Sequence, residues 1–304
     1  MNLTGTSTNM KTLLGPMRLP FLLLTPVCVA LGLAVTYWRV GQISHFGSAL
    51  VLIGALAAHI GVNLFNEYFD FRCGLDSRTR RTPFSGGSGT LPSRPSAAPA
   101  VLSMALIASL ISVSIGAYLV HVRGTALLPL GILGIVLVLT YTPWLTRLAW
   151  LCLIAPGLGF GPCMVLGTYV ALTGHYSASA AAASLIPFFL VNNLLLLNQF
   201  PDVEADRSVG RRNIPILLGR RVGGIVYGAF FVLAYLALGV SILLQMLPWS
   251  SALGLTPLIL GIPIFYAIGK YSEEPVALIP YLGLNVLVCL ATPILMAWGI
   301  FSGG

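Results

Sequence analysis

Apolar residues run through this chain in long blocks. Nine stretches of about 20 residues carry almost no charge: 19–38, 47–70, 97–121, 125–142, 149–172, 179–199, 222–246, 250–269 and 276–302. About 20 apolar residues in a helix cross the hydrocarbon layer of a bilayer. The pattern therefore predicts an all-α membrane protein with nine transmembrane helices. No soluble domain is left over, so 1–304 reads as a single domain. The first block does not read as a signal peptide, because its flank holds only Lys11 and Arg18 and eight more blocks follow. Two connections are longer than the rest, about 71–96 and 201–221, and each follows an acidic helix end.

Polar positions inside the blocks fall into stripes. At 100° per residue, positions 59, 63, 66 and 70 point within roughly 60° of one another. His59, Asn63, Asn66 and Asp70 thus share one face of the second helix. Asn192, Asn198, Gln199 and Asp202 make a broader stripe on the sixth. Such faces turn to the bundle interior. For Asn63 and Asn192 two readings stand side by side, interhelical hydrogen bonding and ligand contact. Asn66 and Asp70 match Asn198 and Asp202 in spacing, which suggests two related units facing one shared site.

Composition sharpens this picture. The chain is 57% hydrophobic and 8% charged, against about 25% charged in soluble domains. Only eight Asp or Glu occur, and six lie in two stretches, NLFNEYFDFRCGLD (Asn63 to Asp76) and NQFPDVEADRSVGRR (Asn198 to Arg212); the other two are Glu273 and Glu274. Carboxylates at the edge of a membrane helix are costly and are functional candidates by default. The net charge of +8 does not signal nucleic acid, because its placement follows topology. With the N-terminus in the cytoplasm, Lys11, Arg18, Arg72, Arg78, Arg80, Arg81, Arg94, Arg147, Arg207, Arg211, Arg212, Arg220, Arg221 and Lys270 fall inside, and only Arg39 and Arg123 fall outside. This is the positive-inside bias. It puts both acidic clusters on the cytoplasmic face of the cell membrane. The five cysteines form no CxxC pair and the four histidines no HExxH, so no zinc site is indicated.

Oxygen ligands on two facing helix ends suit Mg²⁺, which binds carboxylates together with substrate phosphate. Nearby arginines can take phosphate oxygens in bidentate fashion. Beside a membrane cavity, the combination points to a diphosphate with an apolar tail, and to stabilisation of a departing diphosphate.

The two acidic stretches resemble the paired aspartate-rich motifs of the UbiA superfamily of intramembrane prenyltransferases. The first has the N-x-x-N-(D)-Y-x-D-x5-D form of the branch that prenylates 1,4-dihydroxy-2-naphthoate. GFGPCMVLGTYVALTG (Gly159 to Gly174) is similar to that branch's FGPxMVLGTYY segment, and Tyr141 to Pro143 followed by Arg147 resembles the fourth-helix motif. The resemblance implies a UbiA-type bundle around a central cavity and Mg²⁺-dependent transfer of a polyprenyl group from its diphosphate to an aromatic acceptor. It implies that Asn66, Asp70, Asp76, Asp202 and Asp206 hold metal and diphosphate. Arg18, Arg72, Arg147 and Arg212 are then diphosphate contacts, Asn63 and Asn198 line the substrate, and Tyr141 faces the allylic carbon, where a ring favours a developing cation. In the fifth helix, Gly159, Gly161 and Gly167 either let helices approach or leave room for a flat ring. Two departures stand out: Glu67 stands where many members have Asp, keeping the charge on a longer arm, and NQFPDVEAD differs from the NNIRD-type string, which bears on the acceptor rather than on the reaction. Other acceptors in the superfamily are quinone precursors, haem, chlorophyllide and glycerol phosphate lipids.

A secondary transporter also carries repeats and intramembrane acids, but its site usually lies at the bilayer midplane, whereas these acids lie at helix ends. A CDP-alcohol phosphotransferase lacks its DG-x2-AR signature here.

Overall fold

The computed structural model describes residues 10–79 and 81–303. Arg80, one of the charges counted on the inner side, lies outside the described residues. Every regular element among the described residues is helical. Eight helices are long and apolar enough to cross a membrane, and a ninth apolar helix is shorter. In chain order they are α1 (Leu14–Val40), α2 (His45–Arg72), α3 (Pro95–Arg123), the short α4 (Thr125–Thr140), α5 (Ala149–Thr173), α6 (Ala178–Asn198), α7 (Ile214–Leu243), α8 (Trp249–Tyr271) and α9 (Val276–Gly303). All nine blocks of the sequence are therefore helices, and the fourth is the exception only in length. At 1.5 Å per residue α4 extends ~24 Å.

Local chemistry sets the ends that matter for the site. α1 is broken near its start. Arg18 takes left-handed backbone angles (φ 53, ψ 54), and Pro20 opens the turn that follows. A non-glycine residue there costs ~1 kcal/mol or more. α2 starts at a side-chain cap, Ser44 Oγ accepting from Gly47 N, and runs 28 residues to Arg72. α6 ends at Asn198. Pro201, one turn on, cannot extend the ladder, so the chain turns and restarts as a short helix, Val203–Ser208. Asn213 then caps α7, its Oδ1 accepting from Ile216 N. Gly219 (φ 82) kinks α7 just after its first turn.

Packing follows from burial. α2 lies along α3, α6 along α5 and α7, and α9 against α1 and α8. α3 leaves a wall of Leu106, Ile107 and Leu110 exposed, as expected of a lipid-facing helix in a chain this apolar. Helices in lipid gain little from hydrophobicity against one another, so close van der Waals approach decides. At Gly161 the α5 backbone meets α6: a Cβ there would stand 2.4 Å from the Ser184 carbonyl oxygen. Gly159 has nothing within 4 Å of such a Cβ, and Gly167 only a carbonyl at 3.8 Å. The two readings of the glycines are thus divided between them. Gly161 packs, while Gly159 and Gly167 leave space beside the cavity they line.

Candidate active site

The acidic residues converge because helix ends and tight turns bring them together. Asp70 sits in the last turn of α2. Gly74 (φ 78) lets the chain turn back, and Leu75 N donates to the Asp70 carbonyl over 2.9 Å, setting Asp76 beside it. In the second motif, Asp206 N donates to the Asp202 carbonyl over 2.8 Å, so both acids share the turn after α6. Asp70, Asp76 and Asp206 are each about 95% buried.

One guanidinium ties the motifs together. Arg211 makes an ion pair with Asp70 and a second, over 3.1 Å, with Asp206 Oδ1. Asn213 Nδ2 donates to the other Asp206 oxygen over 3.0 Å. Burial works against the Arg211 charge, but Asp70 and Asp206 more than offset it and raise its pKa. Asp206 is itself pushed up by burial, against the pull of Arg211.

A glycine-rich loop closes one side. Gly87 (φ 70) approaches Asp76 so closely that a Cβ would stand 2.7 Å from its Oδ1. The Ser88 backbone N donates to Glu67 Oε2 over 3.0 Å, and its hydroxyl donates to Glu67 Oε1. Arg18 Nη2 lies 3.6 Å from the same carboxylate. Glu67 is fully buried and satisfied by protein groups. It anchors the loop and Arg18, and it is not among the residues lining the cavity.

Below this mouth lies a cavity of about 900 Å³. Asp70, Asp76, Asp202, Asp206, Asn63, Asn66, Asn198, Tyr141, Arg18 and Arg211 all line it. So ten residues from both motifs and from α1 and the end of α4 meet at one opening, and nine of them were legible as candidates. Arg211 is the tenth, and the sequence reading chose its neighbour. Arg212 is exposed and contributes its backbone N–H to the Thr146 carbonyl over 2.9 Å. Arg72 and Arg147 are also exposed, and none of these three lines the cavity. The signal that separates the pair is the turn: Arg211 N donates to the Asp206 carbonyl over 3.1 Å, folding the side chain back on the acid.

The asparagines divide as the two readings allowed. Asn63 Nδ2 donates to the Met17 carbonyl over 3.0 Å and still lines the cavity. Asn66 Nδ2 donates to Thr142 Oγ1 over 3.3 Å. Asn192 is fully buried away from the cavity, its Oδ1 accepting from Gly157 N over 2.6 Å.

Three oxygens at the mouth are buried without a hydrogen-bond partner: Asp76 Oδ2, Asn198 Oδ1 and Asp202 Oδ1. Such acceptors normally find partners, and each left bare costs on the order of 1–3 kcal/mol. Burial, then Glu67 and Asp70, push the Asp76 carboxyl up to about 7. Burial, then Asp206, push Asp202 up to about 7. These are hard oxygen donors short of positive charge, the donor set that a magnesium ion takes. Among the described residues no three His, Cys, Asp or Glu groups stand ready as a metal cage; Arg211 stands between Asp70 and Asp206 instead.

Comparison with known proteins identifies the family. The family model described as "UbiA prenyltransferase family" matches residues 23–278. A "1,4-dihydroxy-2-naphthoate octaprenyltransferase" of Bacillus subtilis (strain 168) is 28% identical over 228 residues, 74% of this chain and 71% of that protein. A "2-carboxy-1,4-naphthoquinone phytyltransferase" of Synechocystis sp. is 24% identical over 275 residues, 87% of this chain and 85% of that protein. Among solved structures, a UbiA homolog from Archaeoglobus fulgidus bound to GPP and Mg²⁺ superposes with a TM-score of 0.64 at 13% identity, covering 96% of this chain and 99% of that one. This multi-pass membrane protein is thus a polyprenyltransferase, and it belongs to the UbiA prenyltransferase family.

Proposed function

We propose that this enzyme transfers a polyprenyl group from polyprenyl diphosphate to 1,4-dihydroxy-2-naphthoate, with Mg²⁺, at the cytoplasmic face of the cell membrane, as a step toward menaquinone. The observation that carries the reading is the cluster of bare buried oxygens on Asp76, Asn198 and Asp202 over an apolar cavity. An apolar tail suits the cavity, and a charged headgroup with its counter-ion suits the mouth. Two relatives support the choice of acceptor, one named for 1,4-dihydroxy-2-naphthoate and the other for 2-carboxy-1,4-naphthoquinone.

In this reading Asn66, Asp70, Asp76, Asp202 and Asp206 hold the magnesium, which supplies positive charge to the departing diphosphate. Arg18 and Arg211 meet the phosphate oxygens. Tyr141 offers its ring to the allylic carbon as the bond to oxygen breaks. The electron-rich dihydroxy ring attacks that carbon, and loss of the ring carboxylate as CO₂ restores aromaticity. Diphosphate and CO₂ are the by-products. The mouth residues keep water from the carbon while the ring approaches to ~3 Å.

The test supplies membranes containing the protein with geranylgeranyl diphosphate, Mg²⁺ and either dihydroxynaphthoate or 4-hydroxybenzoate, followed by mass spectrometry. Prenylated naphthoquinol is expected from the first acceptor alone. Product from hydroxybenzoate only, or from neither, overturns the naphthoate assignment. Transfer at an undiminished rate in EDTA overturns the magnesium role.

A further inference from the structure

His59 is a buried polar side chain in the cavity that the mechanism leaves unused. His59 lies on the polar stripe of α2, 11 residues before Asp70, which puts it ~16 Å deeper along the helix at 1.5 Å per residue. It is 6% exposed and lines the cavity. Its Nδ1 lies 2.7 Å from Thr25 Oγ1 of α1. Phe160 of α5 stands edge-on to the ring, with centroids 4.9 Å apart. The imidazole is thus fixed from both sides by two other helices.

The tautomer follows from Thr25. That residue is fully buried, and its hydroxyl has no other partner among the described residues. A satisfied hydroxyl therefore donates to Nδ1, which leaves the ring proton on Nε2. Among the described residues Nε2 has no hydrogen-bond partner, and it is not among the fully buried side-chain atoms without one. So a neutral N–H donor, held rigidly, faces the cavity, where the Ser109 and Thr168 hydroxyls are committed to backbone carbonyls. A prenyl tail cannot accept that hydrogen bond.

Phe160 belongs to a π-helical stretch, Gly159–Leu166, inside α5. Such stretches are rare and concentrate at functional positions. Here it presents Phe160 to His59 while Gly159 keeps the adjacent space open. This corner, bounded by α1, α2 and α5, offers a flat apolar wall, open volume and one donor. The part of the cavity lined by α3 and α4 carries apolar side chains such as Val113, Ile135 and Val138 and suits the tail.

We propose that His59 is a specificity-determining residue for the acceptor, donating its Nε2–H to a ring hydroxyl oxygen of the aromatic substrate, with Phe160 against the ring. A neutral donor at this depth matches a neutral oxygen. A ring carboxylate is better met by Arg18 at the mouth. The inference rests on the prenyl-transfer-to-naphthoate reading above.

The test is a comparison of Michaelis constants. Wild-type protein, His59→Leu, His59→Gln and Thr25→Val are assayed with dihydroxynaphthoate and with geranylgeranyl diphosphate varied separately. Loss of one neutral hydrogen bond should raise the acceptor KM about 3- to 10-fold in His59→Leu. The prenyl diphosphate KM should hold within about 2-fold, since the diphosphate binds at the other end of the stripe. His59→Gln, which keeps an N–H donor, should recover part of the loss. Thr25→Val leaves the imidazole in place but frees its tautomer, and should raise the acceptor KM by less, so the contact stays testable if His59→Leu fails to fold. No product from wild type with dihydroxynaphthoate rejects the acceptor reading and this inference with it. Product from wild type with an unchanged acceptor KM in the variants rejects the His59 contact alone. A rise confined to the prenyl diphosphate KM, or one that depends on prenyl length, rejects it too, because His59 would then line the tail.

Discussion

Removing Arg211 should make the protein dependent on magnesium for its stability. Its guanidinium is 16% exposed and pairs with Asp70 and Asp206, each with 6% of its side chain exposed. Arg211→Gln leaves two buried carboxylates facing one another without a cation. Breaking a buried pair from one side costs about 3–5 kcal/mol, and protonation of one acid sets the lower end. About 3 kcal/mol corresponds to a drop in melting temperature of roughly 6–12 °C, at 2–4 °C per kcal/mol. The same change removes the competitor for the oxygens that would hold the metal. A magnesium ion entering the wild-type site has to displace the guanidinium, whereas in the variant it meets bare carboxylates. If all of the 3 kcal/mol is recovered, the variant binds the ion up to about 100-fold more tightly. The assay is thermal unfolding of the purified protein in detergent, first in EDTA and then across a magnesium titration. The variant should melt lower than wild type in EDTA and close that gap as magnesium rises, while prenyl transfer stays low because a phosphate contact is gone. Equal melting temperatures in EDTA, or equal magnesium stabilisation of both proteins, would refute the view that Arg211 stands in for the cation.

Three further outcomes follow from the same geometry. Asp202→Asn should abolish at least nine-tenths of prenyl transfer with little change in melting temperature, because Asp202 Oδ1 has no protein partner to lose and the amide keeps an oxygen for the Ser85 hydroxyl; a large loss of stability in circular-dichroism melts would contradict this. Asp76 and Asp202 stand near 7 when no cation is present. A raised carboxyl is protonated below that value, so magnesium must expel protons there; affinity should fall as pH drops from 8 to 6, by up to about 10-fold per unit for each proton released, and calorimetry in buffers of different ionisation enthalpy counts those protons. The same sign makes the cation-free protein lose stability as pH rises from the ordinary carboxyl range to about 7. Finally, Gly161→Ala should destabilise, since its Cβ would meet the Ser184 carbonyl oxygen at 2.4 Å, whereas Gly159→Ala should melt no lower than wild type; the reverse order would contradict the division between packing and space.

The spans were legible because apolar length in a bilayer leaves few alternatives, and even the short α4 appears as its own block. Both acidic motifs were legible for the converse reason: in a chain with eight carboxylates, clustering is itself a signal. The partner of those carboxylates was not. Arg211 and Arg212 are neighbours of identical chemistry, and only the turn closed on the Asp206 carbonyl turns one inward and leaves the other exposed. Glu67 was equally opaque. It stands inside the first acidic motif with a longer arm than Asp, and its partners, Ser88 and Arg18, lie far off in the chain. The extra methylene lets the carboxylate reach the loop backbone rather than the cavity. The glycines of α5 show the same limit, since spacing cannot say which of them faces a helix and which faces empty volume.

That limit also explains why the spacing equivalence of the two motifs does not carry into equivalent roles. Asn66 and Asp70 both lie on the continuous helix α2, whereas Asn198 ends α6 and Asp202 lies beyond it, before the short helix at Val203. Pro201 forces the difference. The helical side is already satisfied, Asp70 by Arg211 and Asn66 Nδ2 by Thr142. The turned side keeps Asn198 Oδ1 and Asp202 Oδ1 bare. An entering cation therefore meets free oxygens on the second motif and on Asp76, and reaches Asp70 and Asp206 only as Arg211 gives way. A diphosphate beside Arg211 would give the guanidinium a new partner as it leaves, so metal and diphosphate should bind with positive cooperativity. Separate and joint titrations of magnesium and a non-reactive prenyl diphosphate analogue read this directly: wild type should show tighter binding of each in the presence of the other. In Arg211→Gln the part of the coupling carried by the guanidinium should vanish. Coupling of the same size in both proteins would mean that direct contact between metal and phosphate accounts for all of it, and that the arginine does not link the two motifs to substrate.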